Sequence, residues 1–147
     1  EAKRVMSLKD PTKKMSKTNG EGIALTDSEE VIWKKISTAV TDPARIRKTD
    51  PGDPKKCNLY TLHQYFSSKK EINYVTEGCK KAKIGCLDCK KILAKNIAKE
   101  LESFRKKYKE LSKNENYVWQ VLKDGAKRAK KIASKTLTEV KKKIGLI

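Results

Sequence analysis

The sequence is short of the residues from which a large core is built. Leu, Ile, Val and Phe together fill 31 of 147 positions, about 21%, only just above the level at which a highly charged chain stays unfolded. The core must therefore be thin. Aromatic residues make up 6%, and histidine occurs once, as His63. Arginine is scarce too, five among 36 cationic residues, which disfavours the bidentate base reading at which Arg excels and favours diffuse attraction of Lys to phosphate. No run of 18 apolar residues occurs and no charged-then-apolar segment opens the chain. Neither a membrane span nor a secretory signal is expected, and because the first residue is Glu1 rather than Met we expect a fragment.

What is abundant is positive charge. Lys and Arg number 36 against 18 Asp and Glu, a formal net charge of +18. Polyanions are the expected partners, and the length suits one domain, or one and a tail.

Along the chain, Arg4–Leu8 is β-friendly until Asp10-Pro11 stops it, which predicts a short strand leading into a loop. That loop, from Thr12 to about Gly22, carries Lys13, Lys14 and Lys17, polar Ser16, Thr18 and Asn19, and two glycines. Thr26 followed by Glu29 matches a capping box, and Ile32, Ile36, Ala39 and Val40 then recur at helical spacing up to Asp42-Pro43. Pro51, Gly52 and Pro54 mark an exposed connection. Asn58 is placed to cap a short helix carrying Leu59, Leu62, Tyr65 and Phe66, and Ser68 another reaching Tyr74 and Val75. The strongest period follows: Leu93, Ile97, Leu101, Phe104, Tyr108 and Leu111 form one seam on a helix of five or six turns. Tyr117, Val118, Val121 and Leu122 suggest a shorter helix, and Ala129, Ala133, Leu137, Val140 and Ile144 a long one, with Gly125 and Gly145 as breaks. The fold class read from this is mainly α, a helical bundle preceded by a small strand and loop. Trp33 and Trp119 are expected in packing, with base stacking as the other use.

Lys14-Met15-Ser16-Lys17-Thr18 has the composition that holds a polyphosphate: ammonium groups neutralise charge while hydroxyls donate hydrogen bonds. Composition alone equally fits a solvated basic turn. The whole stretch from Arg4 to Thr18 resembles the second, KMSKS-type signature of class I aminoacyl-tRNA synthetases, specifically the bacterial-type tryptophanyl-tRNA synthetases, with Thr18 in place of their usual Ser. The resemblance continues through Lys34-Lys35-Ile36, Ala39–Asp42, Asn58-Leu59 and Leu122–Ala126, so it runs in order along essentially the entire chain. It implies that residues 1–25 are the tail of a Rossmann catalytic domain otherwise missing, and that residues 26–147 are a helical anticodon-binding domain. It implies attack of the tryptophan carboxylate on the ATP α-phosphate, then transfer of tryptophan to the tRNA 3′ end. Lys14 and Lys17 are the implied catalytic residues that stabilise charge moving to pyrophosphate, with Ser16 and Thr18 as hydroxyl donors and Met15 as a contact near the adenine or within the loop. Gly20 and Gly22 fit either a loop that opens and closes over ATP or simple turns. His63, in Leu62-His63-Gln64-Tyr65, is read as a half-buried, hydrogen-bonded histidine rather than a catalytic one.

Cys57, Cys79, Cys86 and Cys89 are spaced C-x21-C-x6-C-x2-C. The Cys86–Cys89 pair is a metal-type chelate, since two intervening residues let both sulfurs face one ion. Lys80, Lys81, Lys83, Lys90 and Lys91 crowd this run and are expected to lower the thiol pKa values. Two disulfides, disfavoured in a cytosolic chain, and unligated buried thiols are the alternatives. Zinc and iron–sulfur both accept four cysteines. The resemblance favours a [4Fe-4S] cluster, because a subset of the family carries a four-cysteine motif in this place, although its first interval is one residue longer than here. The cluster's expected task is to staple the helices and orient basic residues.

The resemblance therefore implies a C-terminal part of a tryptophan–tRNA ligase, expected to be inactive alone, and a full enzyme expected to take ATP and tryptophan, to bind tRNA(Trp), to be a homodimer and to be cytoplasmic. The rival readings are a non-catalytic, cysteine-stapled basic RNA-binding module and a structural interaction domain.

Overall fold

A computed structural model describes residues 4–16 and 20–147. Among these residues the chain forms six α-helices and no strand: α1 (Glu29–Ser37), α2 (Asn58–Phe66), α3 (Lys69–Lys80), α4 (Cys86–Glu100), α5 (Glu102–Ser112) and α6 (Glu115–Lys143), with a single 3-10 turn at Pro54–Lys56. The chain is mainly helical, as the apolar periods require. The short strand expected at Arg4–Leu8 reduces to one antiparallel bridge between Met6 and Lys14. The segment folds back on itself within ten residues, so no further partner extends the ladder.

Helix starts follow local chemistry with two corrections. α1 is capped by Ser28, whose Oγ accepts from Val31 N at 3.4 Å, rather than by Thr26. Asn58 is the first residue of α2, and Cys57 holds the cap position without a side-chain bond. Ser68 caps α3 as expected, and it does so in a reciprocal box with Glu71 that the sequence reading does not name. Two carboxylate bonds, from Ser68 N at 2.9 Å and Ser68 Oγ at 2.8 Å, hold the Glu71 pKa below its ordinary value. The end of α3 is a Schellman motif in which Lys83 N donates to Gly78 O at 2.7 Å and Ala82 N to Cys79 O at 3.2 Å. The left-handed position there is Ala82, φ 52°, where glycine is usual.

The chain divides into two compact units, Glu1–Arg105 and Lys106–Ile147. The first contains the core: Leu8, Ile32, Ile36, Leu59, Leu62, Leu93, Ala94, Ile97, Ala98 and Leu101 pack together, with Met15, Ile23, Trp33 and Phe66 against them. Leu8 is 2% exposed, so the residues ahead of the helices belong to the same core. The seam on α4 is buried at Leu93, Ile97 and Leu101 and then surfaces, Phe104 being 55% and Tyr108 59% exposed. The expected single helix is interrupted at Leu101, and Arg105 Nη2 turns back to the Ala98 carbonyl at 2.7 Å.

In the second unit, α6 merges the two helices expected there. Gly125 lies inside it and breaks nothing, because its neighbours are good helix formers and one glycine costs only about 1 kcal/mol. Gly145, φ +73°, does follow the helix end. No residue of α6 is buried, and Trp119 is 61% exposed rather than packed. No helix is long and apolar enough to cross a membrane among the described residues.

Candidate functional site

The basic loop begins as a hairpin. Ser7 N donates to Lys13 O at 2.8 Å and Met15 N to Val5 O at 2.9 Å. Its turn is held by Asp10, which accepts from Thr12 N at 3.1 Å and Thr12 Oγ1 at 2.6 Å and pairs with Lys13 at 2.9 Å. The Thr12 hydroxyl foremost, then Lys13, lowers the Asp10 pKa to about 2. Ser7 is buried, and its Oγ accepts from Lys9 N and Asp10 N. This geometry presents Lys14, Met15 and Ser16 along one wall of a cleft of about 710 Å³ that also includes Arg4, Ile23 and Lys35. Lys17 and Thr18 lie outside the described residues.

The far end of the loop is gripped from α1. Lys35 Nζ donates to Gly22 O at 2.7 Å and pairs with Asp27 at 2.7 Å, while Asp27 also accepts from Ala24 N at 2.8 Å. Glu21 pairs with Lys9 at 3.0 Å. Both ends of the loop are thus tied to the first unit by short polar contacts, and a polyphosphate entering the cleft would meet Arg4, Lys14 and Lys35.

The cysteines form the second constellation. Cys57 precedes α2, Cys79 lies in the last turn of α3, and Cys86 and Cys89 occupy the first turn of α4, with all four thiols free and half-buried. Arg45, itself buried, joins two of them: Nη1 stands 3.7 Å from Cys79 Sγ and 3.8 Å from Cys86 Sγ, while Nη2 donates to Ile84 O at 2.7 Å and Lys48 O at 3.0 Å. Its Nε is buried with no acceptor among the described residues. The Cys57 carbonyl accepts from Tyr60 N at 3.0 Å. Asp42 is fixed by N–H bonds from Asp53 at 2.8 Å and Ala44 at 3.0 Å.

Thiol electrostatics run opposite to the sequence expectation. Burial pushes the Cys57 and Cys79 thiols up, the latter against the opposing charge of Arg45. Burial, followed by the other three thiols, pushes Cys89 up to about 12. The lysines do not lower these values because Lys80, Lys81, Lys83 and Lys91 are exposed, and the buried Lys90 spends its ammonium on the carbonyls of Ser37 and Ala39 at 2.8 and 2.7 Å. Cys89 feels Cys57, Cys79 and Cys86 together, so the structure brings the four thiols into one neighbourhood. Among the described residues, however, no group of three or more His, Cys, Asp or Glu is gathered as a single-ion site.

Three neighbours of this site, His63, Arg45 and Lys90, have contacts that the sequence reading does not give them. His63 is fully buried rather than half-buried, with Nδ1 2.8 Å from Ser67 Oγ and Nε2 3.3 Å from Cys89 Sγ, and burial lowers its pKa. Arg45 and Lys90 carried no local signal, because their roles depend on segments far away in sequence.

Comparison with known proteins gives a consistent result. The sequence model of the family described as tRNA synthetases class I (W and Y) matches residues 2–102. Tryptophan–tRNA ligase of Deinococcus radiodurans is 40% identical over 134 residues, covering 91% of this chain and 41% of the relative. That of Thermotoga maritima is 40% identical over 136 residues, covering 92% and 42%. A crystal structure of tryptophanyl-tRNA synthetase from Campylobacter jejuni complexed with ADP and tryptophan superposes with a TM-score of 0.82 at 28% identity, covering 99% of this chain and 44% of that one. The chain spans about two fifths of the length of the curated relatives it matches.

Proposed function

The chain belongs to the class I tRNA synthetases of the tryptophan and tyrosine type, and on that premise we propose that it is the part of a tryptophan–tRNA ligase that carries the ATP and pyrophosphate loop and binds the tRNA anticodon. Residues 1–25 then end the catalytic domain and residues 26–147 form the anticodon-binding domain. The remaining portion of the enzyme supplies the tryptophan pocket, and the whole is a cytoplasmic homodimer. The observation that carries this reading is the hairpin. It holds Lys14 and Ser16 at the cleft by backbone bonds made before any ligand arrives, and preorganised charge of that kind is what phosphoryl chemistry needs.

As the tryptophan carboxylate attacks the α-phosphate, the bond to pyrophosphate breaks and negative charge moves onto the leaving group. Lys14 and Lys17 neutralise that charge, Ser16 and Thr18 donate to phosphate oxygen, and Met15, which packs against the core of the first unit, serves as the loop's packing partner or as a contact near the adenine. The conformity of the loop depends on Lys35, which fixes Gly22.

For the cysteines we propose a [4Fe-4S] cluster, with zinc as the alternative. The donor set fits: four thiols and a buried guanidinium beside two sulfurs, with one of its nitrogens lacking an acceptor among the described residues, favour a site carrying excess negative charge. Cys57, Cys79, Cys86 and Cys89 would hold the group, which supplies a covalent cross-link between α2, α3 and α4. Arg45 offsets its charge and the helices orient Lys80, Lys81 and Lys83 toward RNA.

The test joins the chain to the rest of its enzyme and measures tryptophan-dependent pyrophosphate exchange. Lys14→Ala and Lys17→Ala should each slow exchange about 100- to 1,000-fold with tryptophan affinity little changed, because the contact is made chiefly in the transition state. Normal rates in both variants would overturn the loop assignment and favour a non-catalytic RNA-binding module.

A further inference from the structure

Two of the four cysteines are each followed directly by a residue linked to the base of the basic hairpin, one directly and one through the segment after α1. After Cys57 comes Asn58, whose Nδ2 donates to the Ser7 carbonyl at 2.8 Å across 51 positions of sequence. After Cys89 comes Lys90, whose Nζ donates to the carbonyls of Ser37 and Ala39, and the next residue, Val40, donates its N–H to the Leu8 carbonyl at 2.8 Å. Ser7 and Leu8 are adjacent and buried on the first leg of the hairpin, and Ser7 N bonds the opposite leg at Lys13.

Neither contact is what local structure needs. Asn58 is the first residue of α2, one past the cap position held by Cys57, and its side chain makes no bond to its own helix but is turned to another segment. Lys90 is 7% exposed and faces two neutral carbonyls, an expensive placement for an ammonium that an apolar side chain of similar volume would avoid. Asn58 ends on the hairpin base itself, and Lys90 ends at Ala39, one residue before the Val40 N–H that bonds the base at Leu8.

We propose that Asn58 and Lys90 are positioning residues that tie the Ser7–Leu8 base of the basic hairpin to the four-cysteine segment, so that order at the thiols sets the order of the loop. A group binding Cys57 and Cys89 immobilises the first turns of α2 and α4. Asn58 passes that constraint to Ser7 directly, and Lys90 passes it through the end of α1 to Leu8. The catalytic consequence rests on the ligase reading given above. The mechanical coupling does not, and its test needs neither ATP nor tRNA.

The experiment is amide hydrogen exchange on the whole protein that carries this chain. Asn58→Asp keeps the side-chain shape and suits a helix N-terminus, and it replaces the donor by a charged acceptor that the Ser7 carbonyl repels. Exchange at Ser7 and Met15, the hairpin amides, should quicken about tenfold, the population change that loss of one buried hydrogen bond produces. Lys90→Met should quicken Val40 similarly. Ile72 and Lys83, in the cap and terminal turn of α3, should be unchanged in both. Cys57→Ser should also quicken Ser7 and Met15, and its effect should largely vanish in the Asn58→Asp background, the non-additivity expected of residues on one path. Unchanged hairpin exchange in Asn58→Asp overturns the proposal. So do additive effects of Cys57→Ser and Asn58→Asp, and so does quickening spread equally over α3, which would mark general destabilisation. In the complete enzyme, Asn58→Asp should lower the pyrophosphate-exchange rate without changing KM for tryptophan. If exchange protection responds as stated but no ligase activity exists, the ligase reading fails and the coupling stands.

Discussion

Adding one methyl group at Gly52 tests the geometry of the cysteine site without touching a thiol. A Cβ built there would lie 2.6 Å from Cys79 Sγ and 3.1 Å from Arg45 Cδ, against about 3.5 to 4.0 Å for ordinary contact. About 1 Å of movement is required. If the sulfur rotates away, it leaves the other three thiols. If the chain around Gly52 withdraws instead, it strains the Gly52 N bond to Cys79 O at 3.0 Å and the Asp53 N bond to Asp42 at 2.8 Å. Overpacking of this kind costs about 1 to 3 kcal/mol, and a weakened hydrogen bond adds about 1 kcal/mol. Gly52→Ala should therefore lower stability by about 2 to 3 kcal/mol in chemical denaturation. Gly125→Ala is the control: nothing lies within 4 Å of its added Cβ, and helix propensity predicts a gain of up to about 1 kcal/mol. Metal content is the second readout. Protein purified without oxygen should carry about four iron and four sulfide per chain, and Gly52→Ala should carry less. A colourless parent holding one zinc refutes the cluster, and a Gly52→Ala protein with unchanged midpoint and unchanged metal refutes the packing argument.

Ala82→Gly should stabilise the protein by about 1 kcal/mol, because φ 52° costs an L-residue about 1 to 2 kcal/mol while glycine gains some unfolded-state entropy; a loss on thermal melting would contradict this. Glu71→Ala should cost about 1 kcal/mol at neutral pH through loss of the α3 capping box. Since the folded pKa of Glu71 is depressed, its contribution is complete above the ordinary carboxylate value and is lost as pH falls through the depressed one, so parent and variant should converge in acid; a gap that persists there would refute the assignment. Neutralising Lys80, Lys81 and Lys83 should weaken tRNA binding and flatten its salt slope more than neutralising Lys141, Lys142 and Lys143, with Lys81 contributing least because it pairs with Glu77 at 2.7 Å. Equal losses would mean that the chain is a diffuse polycation.

What the residues determined by themselves was local. The Ser68 cap was expected and formed, because it depends on only four consecutive positions, Ser68 to Glu71. The x2 interval of Cys86 and Cys89 put both thiols in one turn of α4, and the Leu93–Ile97–Leu101 steps put one stripe of that helix in the core. The basic loop was legible because Lys14 to Ser16 need only a short turn behind them. Tertiary structure decided everything that depends on which faces meet. Phe104 and Tyr108 continue the same seam, yet they surface beyond Leu101 because the core of the first unit ends there. The lysines around the cysteines suggested acidic thiols, but burial dominates once the ammonium groups face water, and charge in water is screened where desolvation is not. Arg45, Asn58, His63 and Lys90 act on partners 26 to 53 positions away. No local pattern encodes such contacts, since their free energy exists only after the helices have packed.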